Sequence, residues 1–126
     1  MTKVLIVDDS AAYRDCLQKL LSLSGLEVAA AADGNEAMTL AADFGPDVLV
    51  IDWMLGSHTD GIELAKLMRT STPEIPVIMI SGFPSTPIDR NLTSLAHTQF
   101  LAKPFATAKL LSAIRAAAEG AARPGR

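Results

Sequence analysis

Lys3-Val4-Leu5-Ile6-Val7-Asp8-Asp9 is an apolar run of strand length that stops on two acids. Similar runs follow: Val48-Leu49-Val50-Ile51 stops on Asp52, Val77-Ile78-Met79-Ile80 on Ser81, and Phe100-Leu101-Ala102 on Lys103-Pro104. Near-continuous apolar runs are what parallel strands covered on both faces require, because neither face meets water. In an open parallel sheet the carboxyl ends of the strands line one crevice, and ligands bind there. Three carboxylates, a hydroxyl and an ammonium are therefore expected to meet in one place, a set suited to a divalent cation and a phosphoryl group.

The segments between these runs have helical period. The first strand covers about Lys3 to Asp8, and Ser10, or Asp9 before it, is placed to cap a helix. That helix carries Tyr13, Leu17, Leu20 and Leu21, with Gly25 as its stop. Glu27 to Ala31 reads as a second strand, closed by the turn signal Asp33-Gly34-Asn35. A second helix, about Asn35 to Asp43, turns Ala37, Leu40, Ala41 and Phe44 inward and is broken by Gly45-Pro46. The polar loop Gly56-Ser57-His58-Thr59-Asp60-Gly61 leads to a third helix with Ile62, Leu64, Ala65, Leu67 and Met68 on its apolar face.

Thr72-Pro73-Glu74-Ile75-Pro76 ends that helix and opens the next strand. Pro84 and Pro87 confine any helix between Phe83 and Ala96 to a short one starting at or after Pro87. Gln99 to Ala102 is the fifth strand, and a last helix, about Ala106 to Glu119, turns Leu110, Leu111, Ile114 and Ala118 towards the sheet. Five strands alternating with five helices predict a doubly wound α/β fold with helices on both faces of a parallel sheet. Residues 1–120 read as one domain and 121–126 as a frayed tail.

Composition narrows the function. The chain has 126 residues, 49% apolar and 20% charged, with net charge −3 and no basic run, so nucleic acid is not expected as a direct partner. Its apolar stretches fall well short of the ~18 residues of a membrane span. Met1 leads straight into a strand without a signal-peptide core, which predicts a cytoplasmic protein. Cys16, the single cysteine, excludes an internal disulfide framework and reads as a packing residue on the first helix. His58 and His97 lack ligand spacing and read as surface residues.

Asp8 and Asp9 with Asp52 on a neighbouring strand form a costly cluster of like charge, which a divalent cation resolves. An all-oxygen donor set suits Mg²⁺ better than Zn²⁺. With the metal in place an Asp can attack phosphorus to give an aspartyl-phosphate, while Lys103 and Ser81 hold phosphoryl oxygens. Taken singly, each residue has a plainer role: Asp9 as a helix cap, Lys103 as a solvated charge, Ser81 before Gly82 as turn chemistry.

Together these residues closely resemble the receiver domain of two-component response regulators, over essentially the whole chain. The family's acidic pair, phosphorylated Asp, Ser/Thr and Lys-Pro are matched by Asp8-Asp9, Asp52, Ser81 and Lys103-Pro104. Ala32-Asp33-Gly34-Asn35-Glu36-Ala37, Pro46-Asp47-Val48, Asp60-Gly61-Ile62-Glu63-Leu64 and Phe100 to Phe105 are similar to the family as well. The resemblance implies a flavodoxin-like fold with strand order 2-1-3-4-5. It implies Asp52 as phosphoacceptor and Mg²⁺ (or Mn²⁺) held by Asp8, Asp9, Asp52 and the Met54 backbone carbonyl, with Asp8 acting largely through water. Lys103 and Ser81 would contact the phosphoryl group, and Phe100 would be the coupled aromatic switch. The implied donor is a sensor histidine kinase or a histidine phosphotransfer protein. The output would be an effector protein, or a homodimer through the segment after Pro87, the fifth strand and the last helix. Beyond Mg²⁺-dependent self-phosphorylation and self-dephosphorylation, no enzyme activity is implied.

The chain departs from the family pattern after Asp52. Leu55-Gly56 stands where Met-Pro is common, and Gly61 lies one residue further on, so the loop is longer and less rigid. Met54 and Phe83, which would flank the phosphoryl group, are apolar and cannot hydrogen-bond an attacking water, which predicts slow self-dephosphorylation. With the chain used up by the receiver, a stand-alone regulator is expected. The competing readings are a degenerate receiver acting as a phosphorylation-independent dimerisation or scaffold module, and a small Asp-nucleophile phosphotransferase or phosphatase. Haloacid-dehalogenase-type enzymes space the acids Asp-x-Asp, whereas here they are adjacent. A cofactor-binding reading needs a Gly-rich or Ser/Thr-rich phosphate loop after the first strand, where Asp8-Asp9-Ser10 would repel phosphate.

Overall fold

Alternation along each strand sends successive side chains to opposite faces of the sheet, and both faces are apolar here. The computed structural model describes residues 2–52, 61–81, 98–102 and 106–122, with backbone alone at 62, 81, 100, 102 and 120–122. The elements are β1 (Lys3–Val7), α1 (Ala11–Leu23), β2 (Glu27–Ala31), α2 (Gly34–Phe44), β3 (Val48–Asp52), α3 (Gly61–Ser71), β4 (Val77–Ser81), β5 (Thr98–Ala102) and α4 (Thr107–Ala122). The strands form one sheet in the order β2-β1-β3-β4-β5, and every pairing is parallel. The doubly wound sheet and its 2-1-3-4-5 order are those expected.

Two cores follow from the strand period. Leu5, Val7, Leu49, Ile51, Val77 and Met79 pack with Ala37 of α2 and with Leu64, Ala65 and Met68 of α3. Val4, Ile6, Val48, Val50, Ile78 and Ile80 pack with Leu17 and Leu21 of α1 and with Leu110 and Ile114 of α4. So α2 and α3 cover one face, α1 and α4 the other. Burying each such aliphatic side chain contributes about 1.5–3 kcal/mol, enough in sum to hold acids at the sheet's edge.

Local chemistry sets the helix ends. Ser10 is the N-cap of α1, its Oγ accepting from the Tyr13 N–H at 3.3 Å. Asp33 caps α2 by accepting from the Glu36 N–H at 2.8 Å, while Glu36 Oε1 accepts from the Ala32 N–H at 2.6 Å. Gly45 ends α2 at φ 63°, in the left-handed region where a side chain would be strained.

Some expectations shift. β1 stops at Val7, leaving Asp8 outside the ladder. Leu67 is 47% exposed: it sits ~100° around the helix from Met68, off the buried face of α3. Leu20 is 37% exposed for the same reason. Cys16 is exposed rather than packed, because Leu17 and Leu21 take the inward stripe of α1. The last helix runs to Ala122, past the expected end at Glu119. The expected short helix between Phe83 and Ala96, with both histidines, lies outside the described residues.

Candidate functional site at the carboxyl edge of the sheet

Register brings the strand ends together. Val7 is level with Ile51, so the residues that follow, Asp8 and Asp52, are neighbours at the ends of adjacent strands. Asp52 is level with Ile80, Ile80 with Leu101, and Ser81 with Ala102. Asp8, Asp52 and Ser81 therefore share one edge. By strand period Asp8 follows Val4 and Ile6, and Asp52 follows Val48 and Val50, all on the α1/α4 side.

Each of Asp8, Asp9 and Asp52 offers a carboxylate oxygen, and these oxygens lie within 4.8 Å of one another. Asp8 is 2% exposed and is the buried charged side chain among the described residues. Asp52 is half-buried and Asp9 exposed. Asp8 is held at three atoms. Its N–H donates to the Ala31 carbonyl at 3.1 Å, its Oδ1 accepts from the Ser10 N–H at 2.8 Å, and its carbonyl accepts from Arg14 Nη1 at 2.7 Å. Ser10, not Asp9, caps α1, so the Asp9 carboxylate is not committed to the helix.

Close like charges are tolerable only when opposite charge joins them. An all-oxygen set of three carboxylates, mixed in burial and open on the Asp9 side, fits Mg²⁺ or a similarly hard cation. Among the described residues no helix is long and apolar enough to cross a membrane.

Two residues of α1 belong to this site beyond those read from the sequence. Tyr13 is half-buried against the α1/α4 core, and its phenol is pushed up to about 12, chiefly by burial, then by Asp8, then by Asp52, with a smaller push from Cys16. The push from Asp8 and Asp52 couples the phenol electrostatically to the acidic cluster. Arg14 reaches the Asp8 carbonyl. The sequence signal was present but indirect: a helix capped at Ser10 puts its first turn over the end of β1. Ser81 and Phe100 are placed by their backbone on β4 and β5. Met54, Phe83 and Lys103 lie outside the described residues.

Comparison with known proteins agrees with this geometry. The family model described as "Response regulator receiver domain" matches residues 4–115. The chain is similar to the response regulator MprA of Mycolicibacterium vanbaalenii, 34% identical over 116 residues, covering 90% of this chain and 49% of that protein. MprA of Mycobacterium avium is also 34% identical, with 50% of its length covered. The chain thus spans about half the length of these curated relatives. Among solved structures, the Francisella response regulator 1452 receiver domain superposes with a TM-score of 0.85 at 30% identity, over 95% of this chain and 98% of that one. The chemotaxis response regulator CheY4 of Vibrio cholerae gives 0.82 at 31% identity, over 93% and 98%.

Proposed function

The chain belongs to the family of response regulator receiver domains, and on that premise we propose that Asp52 is the phosphoacceptor of a two-component or phosphorelay system. The observation that carries this is the meeting of the Asp8, Asp9 and Asp52 carboxylates within 4.8 Å at the carboxyl edge of the sheet. An oxygen of Asp52 attacks the phosphorus of a phosphohistidine or small acyl phosphate. The O–P bond forms as the donor's bond to phosphorus breaks, and the electron pair leaves with the imidazole or carboxylate. Asp8, Asp9 and Asp52, with the Met54 carbonyl, would hold a divalent cation, which would supply charge neutralisation. The buried Asp8 fixes one side of the site, and Lys103 and Ser81 take the phosphoryl oxygens. Phe100 is the coupled aromatic.

The donor is a sensor histidine kinase or histidine phosphotransfer protein, and the signal leaves through contact with an effector or a second copy of the chain. Met54 and Phe83 lengthen the phosphoryl lifetime because neither can orient a water. A scaffold role without phosphorylation is the second reading, but nothing in an assembled acidic cluster favours it.

Acetyl phosphate with Mg²⁺, followed by intact-mass measurement, is the test. One added phosphate is expected in the wild type and none in Asp52→Asn, and decay of the label after donor removal measures the lifetime. A wild type that stays unlabelled overturns the phosphoacceptor reading.

A further inference from the structure

The Arg14 side chain donates at 2.7 Å to a backbone oxygen of the acidic pair, not to a carboxylate. That oxygen belongs to the peptide joining Asp8 to Asp9, and a peptide is a rigid plane. Holding it fixes the direction in which the chain leaves Asp8 and enters Asp9. The rest of Asp8 is already tied, its N–H to Ala31 and its Oδ1 to Ser10. Asp9 is exposed, so burial does nothing to aim its side chain. The Arg14 bond restrains the remaining rotation, and a hydrogen bond from a cation is among the stronger ones.

Arg14 is itself well seated. It is half-buried on the first turn of α1, and its backbone N–H donates to the Ser10 carbonyl at 2.9 Å. Ser10 in turn donates to Asp8. The turn is a closed loop of bonds, and Asp9, exposed beside it, brings a carboxylate oxygen within 4.8 Å of those of Asp8 and Asp52.

We propose that Arg14 is a positioning residue for divalent-cation binding: by fixing the Asp8–Asp9 peptide it aims the paired carboxylates. This rests on the reading of Asp8, Asp9 and Asp52 as the cation site. It carries a distinctive sign. A guanidinium near the site repels a cation by charge alone, so a purely electrostatic role means that removing it tightens binding. Positioning means that removing it weakens binding. Residues that orient metal ligands commonly change affinity about 10–100-fold, and an effect relayed through backbone belongs at the lower end.

Mg²⁺ and Mn²⁺ are titrated into wild type, R14M, R14Q and R14K, followed by calorimetry and by emission of Trp53, the single tryptophan, next to Asp52 in sequence. R14M is expected to bind about tenfold more weakly. R14K and R14Q, which keep a donor, should recover part of that loss, and saturating Mg²⁺ should restore phosphorylation in all three. Urea unfolding in chelator monitors the fold, and should R14M prove unfolded, R14Q alone still reports the sign. R14M or R14Q binding more tightly than wild type, or R14M binding equally, overturns the positioning role while leaving the cation site standing. A wild type that binds neither ion overturns the cation site and the positioning role together.

Discussion

The amino and carboxyl edges of the sheet arrange their charges differently. At the amino edge charges meet partners: Lys3 Nζ donates to the Phe44 carbonyl at 3.2 Å and lies 5.7 Å from the centre of its ring. The Lys3 N–H donates to Asp47 at 2.8 Å. Arg69 donates to the Ile75 carbonyl at 3.0 and 3.3 Å and to Thr98 Oγ1 at 3.1 Å, joining α3 to the entries of β4 and β5. At the carboxyl edge three carboxylates crowd within 4.8 Å. The amino edge holds the layers together; the carboxyl edge keeps a charge cluster that the fold alone has no reason to assemble. Stability and chemistry are separated along the strand axis.

Breaking the amino edge should cost stability and leave the site intact. Arg69→Ala removes the bonds to the Ile75 carbonyl and Thr98 Oγ1 from a half-buried cation whose burial lowers its pKa. We expect a loss of about 2–3 kcal/mol in urea unfolding, with Mg²⁺ affinity unchanged. A comparable loss of affinity would show that the two edges are not independent. The carboxyl edge should respond with the opposite sign. Asp8→Asn relieves like charge, yet its amide oxygen can still accept from the Ser10 N–H. In chelator it should stabilise by about 1 kcal/mol. Excess Mg²⁺ should reverse the order, because a ligand that binds only the native state stabilises the wild type by mass action.

The same division explains what was legible in the sequence. Strand interiors must be apolar on two faces, so Val4 to Val7 and Val48 to Ile51 announced parallel strands directly, and the polar residues ending them announced the edge. Parity and register then did the rest, since Val7 beside Ile51 leaves Asp8 beside Asp52. Helix faces were less legible. Leu67, Leu20 and Cys16 are apolar but lie off the buried stripes, because a helix exposes apolar flanks at little cost. Arg14 and Tyr13 could not be assigned to the site from residue type. An Arg on a first turn is ordinarily a surface charge and a Tyr at helical spacing ordinarily core. Only the cap at Ser10 fixes where that turn sits.

Tyr13 offers the finest probe of the carboxyl edge, because it is the only tyrosine and its phenolate absorbs distinctly. Its phenol is raised to about 12, with burial the largest cause, Asp8 next and Asp52 after it. The ordering makes a graded prediction. Phenolate titration should move down in both Asp8→Asn and Asp52→Asn, further in the former, and in neither case back to an ordinary tyrosine value, since burial persists. Stability has a matching sign. A raised folded pKa means that the native state keeps a proton the unfolded chain releases, so the contribution is complete below about pH 10 and falls as pH rises from 10 to 12. Circular dichroism on the same samples separates titration of folded protein from unfolding. Equal shifts in the two variants would place the phenol midway between the carboxylates; a larger shift in Asp52→Asn would move it towards β3 and away from the turn that Arg14 holds.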